Sequence, residues 1–226
     1  MNRDTAYHSS IPSTAREKVT AQGAGRCPVR AEYYIGEELV GIRLWHPSGL
    51  PANEYAFQDG NKHGWQFFWN TDGNLISAQP YEQGLQQGTA YQWANDGRLL
   101  GTYTMDRGNG FDLWWFEDED GKAALREVYT FVSGQLHGYE WQLSNGKLRA
   151  EQHWHQDKLH GIERLWDSKS KLVRGFPRYW LHGERVRKPA YLKAATQDST
   201  LPPLLPEEDH PNRRFPSPIE DHLRRS

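Results

Sequence analysis

Hydrophobic and polar residues alternate along short stretches of this chain. Single polar residues separate Tyr139, Trp141 and Leu143. A period of two places the three apolar side chains on one face of a β-strand. The Asn-Gly pair at 145–146 is the strongest two-residue hairpin signal, and residues 147–154 then form the returning strand. The stretch therefore predicts one antiparallel β-hairpin.

The hairpin pattern recurs, and a glycine marks each copy. These glycines are 22 to 28 residues apart, at Gly41, Gly64, Gly88, Gly110, Gly138, Gly161 and Gly183. A fixed period of this size indicates a stacked repeat array. One hairpin alone is marginally stable in water, so neighbouring hairpins must pair. We expect an all-β fold, an elongated repeat array of about six to seven antiparallel β-hairpins with a short C-terminal helix and a proline-rich tail.

The repeat pattern divides the chain into three expected regions. Residues 1–28 lack periodicity and predict a flexible arm, 29–186 form the hairpin array, and 187–226 form an extension that is partly disordered. The fourth repeat is the longest, and we place its insertion at residues 117–120 as a widened acidic hairpin tip. The sheet should weaken at Phe176-Pro177, because proline favours an edge or a bulge.

Composition limits the classes of function. The formal net charge is −2 and the predicted pI is about 6.6, which argues against a nucleic-acid surface. A single cysteine, Cys27, allows neither an internal disulfide nor a multi-cysteine zinc site. We see no secretory signal and no stretch of the ~18 apolar residues that a membrane-spanning helix needs, so a cytoplasmic location is expected. Ten tryptophans, all from Trp45 to Trp180, predict an aromatic core.

The repeats resemble the MORN-repeat family in its bacterial variant form. The best copy of the family pattern is Tyr81-Glu-Gln-Gly84-Leu-Gln-Gln-Gly88, and residues 33–41 and 155–161 are drifted copies. The resemblance implies the hairpin array over about 29–186. Bacterial proteins of this kind are widely described as antitoxins, which implies neutralisation of a toxin by direct binding. Other MORN arrays attach to membrane phospholipids or act as scaffolds, and the family offers no catalytic residues to transfer.

A histidine precedes four of the recurring glycines, at His63, His137, His160 and His182. The set predicts a line of imidazoles along one edge of the sheet. We interpret each ring as a hydrogen-bond partner of a neighbouring turn's backbone. The alternative is a row of groups that titrate near pH ~6.5 and make partner binding sensitive to pH.

A metal site is the alternative interpretation of another histidine cluster. His153 and His155 share one strand face, and Asp157 and His160 follow closely. We favour a structural role, because His160 belongs to the recurring histidine–glycine step. The sequence therefore predicts no metal and no cofactor.

Aromatic residues are the candidate partner-binding residues. Trp114 and Trp115 are adjacent, so in a strand they must point to opposite faces. Exposed aromatic patches often mark binding surfaces. We choose Trp69, one of Trp114 and Trp115, and one of Tyr91 and Trp93 for the contact face, without deciding within each pair.

These observations favour a non-enzymatic protein-binding module, most specifically an antitoxin-like protein. The chain lacks the nucleophile elbow, the phosphate-binding loop and the dinucleotide-binding motif, so no catalytic residues are proposed. Attachment to membrane phospholipids and a structural scaffold are the alternatives. The basic residues that lipid binding needs gather only late in the chain, between residues 169 and 188.

Overall fold

Antiparallel β-strands build both of the units into which the chain divides, and the predicted all-β hairpin array is confirmed. The computed structural model describes residues 7–23, 27–212 and 214–225. Unit 1 is Met1–Gly108 and unit 2 is Asn109–Ser226. In each unit, successive strands pair with their neighbours along the chain, which is the arrangement of a meander.

The meander of unit 1 has long strands interrupted by two short ones. Each long strand pairs antiparallel with the next, from the first to the tenth. The two-residue strands pair with the ends of the fourth and seventh strands. The strands of the described part are β1 (Arg16–Gln22), β2 (Pro28–Ile35), β3 (Glu38–Trp45), β4 (Pro51–Gln58), β5 (Asn61–Lys62), β6 (Gly64–Trp69), β7 (Leu75–Glu82), β8 (Leu85–Gln86), β9 (Gly88–Trp93) and β10 (Leu99–Asp106).

Unit 2 continues the same alternation of long and short strands. Its long strands pair in chain order. Ahead of Phe176-Pro177, where the sequence predicted a weaker sheet, an isolated bridge between Trp166 and Leu172 replaces regular strand pairing. Its strands are β11 (Asn109–Glu117), β12 (Ala123–Val132), β13 (Gln135–Ser144), β14 (Lys147–His155), β15 (Lys158–Leu159), β16 (Gly161–Leu165), β17 (Arg178–Leu181) and β18 (Glu184–Val186).

A five-residue turn closes most of the hairpins. In the turn that starts at Asn70, the Asn70 N–H donates to the Asn74 carbonyl, and the Gly73 N–H donates to the Asn70 carbonyl. Gly73 has a φ of 80°, as expected for a type I turn followed by a left-handed residue. The same hydrogen bonds recur in turns that start at His46, Asn70, Ala94, Asp118 and Asp167.

The acidic tip of the fourth repeat has this same turn, so its predicted widening is wrong. The Asp118 N–H donates to the Lys122 carbonyl, as at the other tips. The extra residues lengthen the strands instead. β11 and β12 have 9 and 10 residues, whereas β9 and β10 have 6 and 8. Added strand residues gain ladder hydrogen bonds, which a wider loop does not.

Two-residue turns lie at the opposite ends of most strands, and in most of these turns both central residues have positive φ. Asp59 and Gly60, for example, have φ values of 50° and 76°. This is the geometry of a type I′ turn, whose twist matches that of paired strands. Gly183 belongs to such a turn, with His182 before it at a φ of 50°. Gly64, Gly88, Gly138 and Gly161 lie in strands instead, so the prediction of a seventh repeat step at Gly183 is wrong.

The N-terminal arm is ordered from residue 7 to 23, although the sequence predicted flexibility. β1 pairs with β2, and Ile11 is buried against Ala31, Tyr33 and Ala56. A Cβ atom on Gly41 would lie 2.4 Å from the Ile11 side chain. The bare glycine backbone therefore admits the arm onto one face of unit 1.

The C-terminal extension covers one face of unit 2. Its helices are α1 (Lys188–Ala195) and α2 (Ser217–Arg225), with a 3₁₀ turn at Pro206–Asp209 between them. Aromatic contacts attach it to the sheet, through Tyr191 on Tyr179, Phe215 on Trp141 and His222 on Trp115. The sequence predicted partial disorder for residues 187–226, whereas much of this segment forms helices and packs on the sheet. Among the described residues, no helix combines the length and the apolar character needed to cross a membrane.

A buried arginine attaches this extension to the strands. Arg164 is 1% exposed, and its guanidinium lies 2.8 Å from Glu151, 3.1 Å from Asp209 and 3.4 Å from Glu208. The Trp166 indole N–H donates to the Asp209 carbonyl at 2.8 Å. Burial by itself lowers the pKa of Arg164, but the carboxylates outweigh it and raise that pKa, so the guanidinium stays charged.

Replacing Arg164 by alanine should strongly destabilise the fold. Removing one partner of a buried ion pair leaves an uncompensated charge, which costs about 3–5 kcal/mol. Urea unfolding measures the change, and Arg174→Ala, an exposed arginine in the same unit, is the control. The double variant Arg164→Met/Glu151→Leu should lose less stability than Arg164→Ala. A loss below about 1 kcal/mol for Arg164→Ala would contradict this role.

Candidate functional site

A row of side chains crosses one face of unit 1 in register. Arg43 pairs with Glu54 across β3 and β4, Glu54 with Phe67, and Phe67 with Ala78. Ala78 in turn pairs with Tyr91 on β9. Directly opposite residues of antiparallel strands share a face, so this one face carries an ion pair beside an aromatic cluster.

The aromatic cluster comes from alternating residues of β6 and β9. Trp65, Phe67 and Trp69 point to one side of β6, and Tyr91 and Trp93 to the same side of β9. The small Ala78 on the strand between them leaves room for the rings. The Trp65 and Tyr91 ring centroids are 6.3 Å apart, within the range of favourable aromatic pairs.

A cleft of about 370 Å³ opens where the N-terminal arm meets this face. Trp45 and Trp69 are half-buried in its wall. Tyr7 of the arm packs edge-on against Trp69, with ring centroids 5.3 Å apart, and is itself 40% exposed. The volume lies within the range of small-molecule sites, and also suits one large side chain of a partner.

The ion pair also lines the cleft. Glu54 is fully buried, and its Oε2 accepts from Arg43 Nε at 2.7 Å and from the Tyr7 hydroxyl at 2.9 Å. Its other oxygen, Oε1, accepts no hydrogen bond from any described residue. A buried acceptor without a partner costs about 1–3 kcal/mol. The cleft wall therefore contains a buried carboxylate with one unpaired oxygen, which is shielded from solvent.

Protonation in the cleft is set by the same contacts. Burial, and then the neighbouring Glu54 carboxylate, raise the pKa of Tyr7, so its hydroxyl keeps its proton. Burial alone lowers the pKa of Arg43, but its hydrogen bond and attraction to Glu54 outweigh burial and raise it. The cleft carries a neutral hydroxyl and a charged guanidinium at neutral pH.

The structure separates the five predicted contact residues. Trp69 lies in the cleft wall and Tyr91 is half-buried in the aromatic cluster, whereas Trp93 is only 2% exposed. Trp114 is half-buried opposite Glu127, while Trp115 is 5% exposed beneath α2. Trp93 and Trp115 are therefore core residues. The accessible residue is Tyr91 in the pair Tyr91 and Trp93, and Trp114 in the pair Trp114 and Trp115.

Sequence reasoning missed the polar part of the cleft. Glu54 lies between Ala52 and Ala56 in a strict alternation of buried positions on β4. A charged residue at the centre of such an apolar stripe is a signal of a buried ion pair. Tyr7 had no such signal, because it lies in the arm predicted to be flexible.

Histidines form a row in unit 2. The ring centroids of His137 and His155 are 4.6 Å apart, those of His155 and His160 5.5 Å, and those of His160 and His182 4.1 Å. The buried His160 accepts the His182 backbone N–H on Nδ1 at 3.0 Å. For His160, the predicted bond to a neighbouring turn is confirmed.

His160, His182 and Asp198 are close enough to hold a metal ion, with ligand atoms within 4.8 Å of one another. The tautomer of His160 opposes that use. Because Nδ1 accepts an N–H, the neutral ring carries its proton on Nε2, which faces Thr200 Oγ1 at 3.1 Å and Asp198 at 3.2 Å. A histidine that binds a metal normally donates from its other nitrogen, and here that nitrogen is an acceptor.

The sequence offered His153, His155, Asp157 and His160 as an alternative metal site. Two of these side chains, His153 and Asp157, contact backbone groups. His153 Nδ1 lies 2.6 Å from the His160 carbonyl, and Asp157 Oδ1 accepts the Leu136 N–H at 2.7 Å. These bonds tie the two-residue turn at Gln156-Asp157 to neighbouring strands. His153 and Asp157 thus stabilise the backbone around this turn through hydrogen bonds.

Comparison with known proteins identifies neither a family nor a function for this chain. No protein-family model matches the chain, and a search of curated proteins finds no significant match. The resemblance to MORN repeats therefore remains a prediction that rests on the glycine and aromatic motifs.

Acid should destabilise unit 2 through His160. Burial, and next the nearby His182, lower the pKa of His160 below its ordinary value of 6.5 against the opposing effect of Asp198. The folded state thus favours the neutral ring, and its contribution to stability is present above pH 6.5 and lost as the pH falls towards the lowered pKa.

Urea unfolding of wild type and His160→Gln between pH 7.5 and 5.5 tests this. The glutamine amide keeps an acceptor for the His182 N–H but does not titrate, so its stability should fall less over this range. His8→Gln, at an exposed position of the arm, should keep the wild-type dependence. Equal pH dependence in His160→Gln and wild type would refute the assignment.

Proposed function

We propose that this protein is a non-enzymatic module that binds a protein partner through the aromatic cleft of unit 1. The observation that carries the proposal is the cleft itself, whose walls bring together the half-buried Trp45 and Trp69, Tyr7 and the Arg43–Glu54 ion pair. Tryptophan, tyrosine and arginine are the residues that dominate protein interfaces, and the cleft brings all three together.

The chemistry of the cleft favours a side chain that is flat and donates a hydrogen bond. Such a group stacks on Trp45 or Trp69, and it donates to Glu54 Oε1 once the side chains that shield this oxygen shift. Pairing that acceptor recovers the cost of leaving it unsatisfied in a buried position. Arg43 and Glu54 form an ion pair, so their charges cancel. The cleft therefore does not select a partner by the sign of its net charge.

The most specific form of the proposal is an antitoxin-like protein that neutralises a toxin by covering it. Its support is the resemblance of the repeats to bacterial MORN-type antitoxins, together with the cleft. The cytoplasmic location expected from the sequence belongs to the same proposal. Phospholipid attachment and a scaffold role are the competing outcomes.

Replacing Trp69 by alanine should abolish partner capture. Affinity capture from native cell lysate, with quantitation of bound proteins, identifies a partner, and calorimetry with the purified partner measures affinity. Loss of an interface tryptophan costs at least about 2 kcal/mol, which is roughly a 30-fold loss in affinity. Trp65→Ala is the matched control, because Trp65 packs in the same cluster on the same strand but does not line the cleft.

Two results would count against the proposal. Equal loss of binding in Trp65→Ala and Trp69→Ala would indicate a general effect on the sheet. Absence of any stoichiometric protein partner, together with flotation of the wild-type chain on vesicles of anionic lipid, would favour phospholipid attachment.

A further inference from the structure

A cavity lined by cations lies where β17 and β18 lead into α1, and its volume is about 430 Å³. Its cationic lining residues are Arg178, Arg185, Arg187 and Lys188. Its remaining lining residues, which are uncharged at neutral pH, are Pro177, Tyr179 and Val186. No carboxylate of the described residues lines this cavity, whereas an ion pair balances the charge in the cleft of unit 1. The cavity therefore concentrates positive charge.

The register of the β17–β18 hairpin brings these cations together. Tyr179 pairs with Val186, and the same register, continued by one residue, sets Arg187 opposite Arg178. Arg185 shares the face of Arg187, because alternate residues of a strand point the same way. Like charges directly opposite each other destabilise a sheet. An anion between Arg178 and Arg187 replaces their repulsion by attraction.

The charge of these residues is poorly compensated within the chain. Arg178 has one ion-pair partner, Glu163, and Arg178 Nη1 lies 3.7 Å from Glu163 Oε2. Arg185, Arg187 and Lys188 are exposed, and none of them has an ion-pair partner among the residues that the structure describes. The first turn of α1 contains no acidic residue that supplies one. These three positive charges are therefore accessible to an anionic ligand.

Arg178 contributes hydrogen-bond donors as well as charge. Its guanidinium carbon lies 4.1 Å from the centroid of the Phe176 ring, a cation–π contact that orients the group. At 3.7 Å its contact with Glu163 is too long for a hydrogen bond, and its guanidinium donates to no described residue. Nε is shielded from solvent, but the side chain as a whole is 35% exposed. A ligand in the cavity can therefore accept hydrogen bonds from Arg178.

We propose that this cavity binds a phosphate monoester group. Such a group carries a charge of about −1.5 to −2 at pH 7, whereas a carboxylate carries about −1, so a cluster of cations favours the monoester. Arg178 and Arg187 hold the group from the two sides of the hairpin through the paired N–H groups of their guanidinium forks. Arg185 and Lys188 add positive charge to the lining. Clusters of arginine are a common means of recognising phosphorylated ligands.

This site lies in unit 2, and it goes beyond the proposed function because it takes a ligand of different chemistry from that of the cleft. The phosphate group can come from a phosphorylated side chain of a polypeptide or from a small soluble phosphate ester. A membrane is disfavoured, because its headgroups form a plane whereas the cations line one cavity. The exposed Glu184 at the tip of the same hairpin also repels an anionic plane.

Isothermal titration calorimetry of the full chain at low salt tests the site with two probes. One is glycerol 2-phosphate, and the other is the peptide Gly-Ser-Gly-Ser-Gly-Ser-Gly phosphorylated on its central serine. We expect at least one of them to bind, whereas glycerol and the unphosphorylated peptide should not, because they lack the charge. Arg185→Gln/Arg187→Gln should weaken binding by at least about tenfold, since two charge-assisted contacts are lost. Near-ultraviolet circular dichroism checks that this double variant keeps its fold.

Lys169→Gln/Lys171→Gln is the matched control, because it removes the same charge from exposed positions that do not line the cavity. It should change affinity by less than about twofold. Arg178→Lys keeps the charge but loses the guanidinium fork, so it should weaken binding more than the control does. Failure of both probes to bind, or equal losses in the two double variants, would overturn the proposal.

The two probes also identify the source of the phosphate group. Binding of the phosphopeptide at least about tenfold tighter than that of glycerol 2-phosphate assigns the site to a phosphorylated polypeptide, and a smaller difference assigns it to a small phosphate ester. Flotation of the chain on vesicles that contain phosphatidic acid, without binding of either soluble probe, would overturn the proposal in favour of a membrane.

Trp69→Ala should leave binding of both probes unchanged, because Trp69 lies in the cleft of unit 1. Loss of probe binding in that variant would place the phosphate group in the cleft and overturn the assignment to unit 2. Failure of lysate capture alone concerns only the cleft, so the two proposals fail independently.

Discussion

A single layer of paired hairpins has two faces, and it can bury its large side chains only if another part of the chain covers one of them. This constraint explains the terminal segments. In unit 1 the arm lays Ile11 against the sheet, and in unit 2 the extension lays Phe215 and Ile219 there. Burial of these groups supplies the apolar contact that one hairpin layer lacks.

Each covered face also contains an arginine–glutamate pair on neighbouring strands, which is buried in unit 2, whereas in unit 1 the arginine is partly exposed. Arg164 and Glu151 receive two further carboxylates from the extension, whereas Arg43 and Glu54 receive the hydroxyl of Tyr7. In unit 1 one carboxylate oxygen of Glu54 has no hydrogen-bond partner among the described residues, and Glu54 lines a cleft. The same structural device thus supports stability in one unit and a candidate binding site in the other.

The two turn types explain the regular repeat. Five-residue turns lie mostly at one end of the strands and two-residue turns mostly at the other. Both need residues with positive φ, and glycine meets that need at the least cost. Because the turns fix register, the alternation along each strand decides which face every side chain joins. The two faces of unit 2 therefore carry different residues: one meets the C-terminal extension through Trp141 and Arg164, and the other holds Glu140 and Glu163 beside the indoles of Trp154 and Trp180.

The sequence by itself determined the hairpins, their turns and the all-β class, because alternation and glycine spacing act over a few residues. It also predicted that Trp114 and Trp115 face opposite ways. Only the tertiary structure decided that Trp115 lies beneath α2, that Tyr7 completes a cleft, and that Glu140 lies beside Trp154. These contacts join residues from different strands or distant segments, and local patterns carry no information about which of them meet.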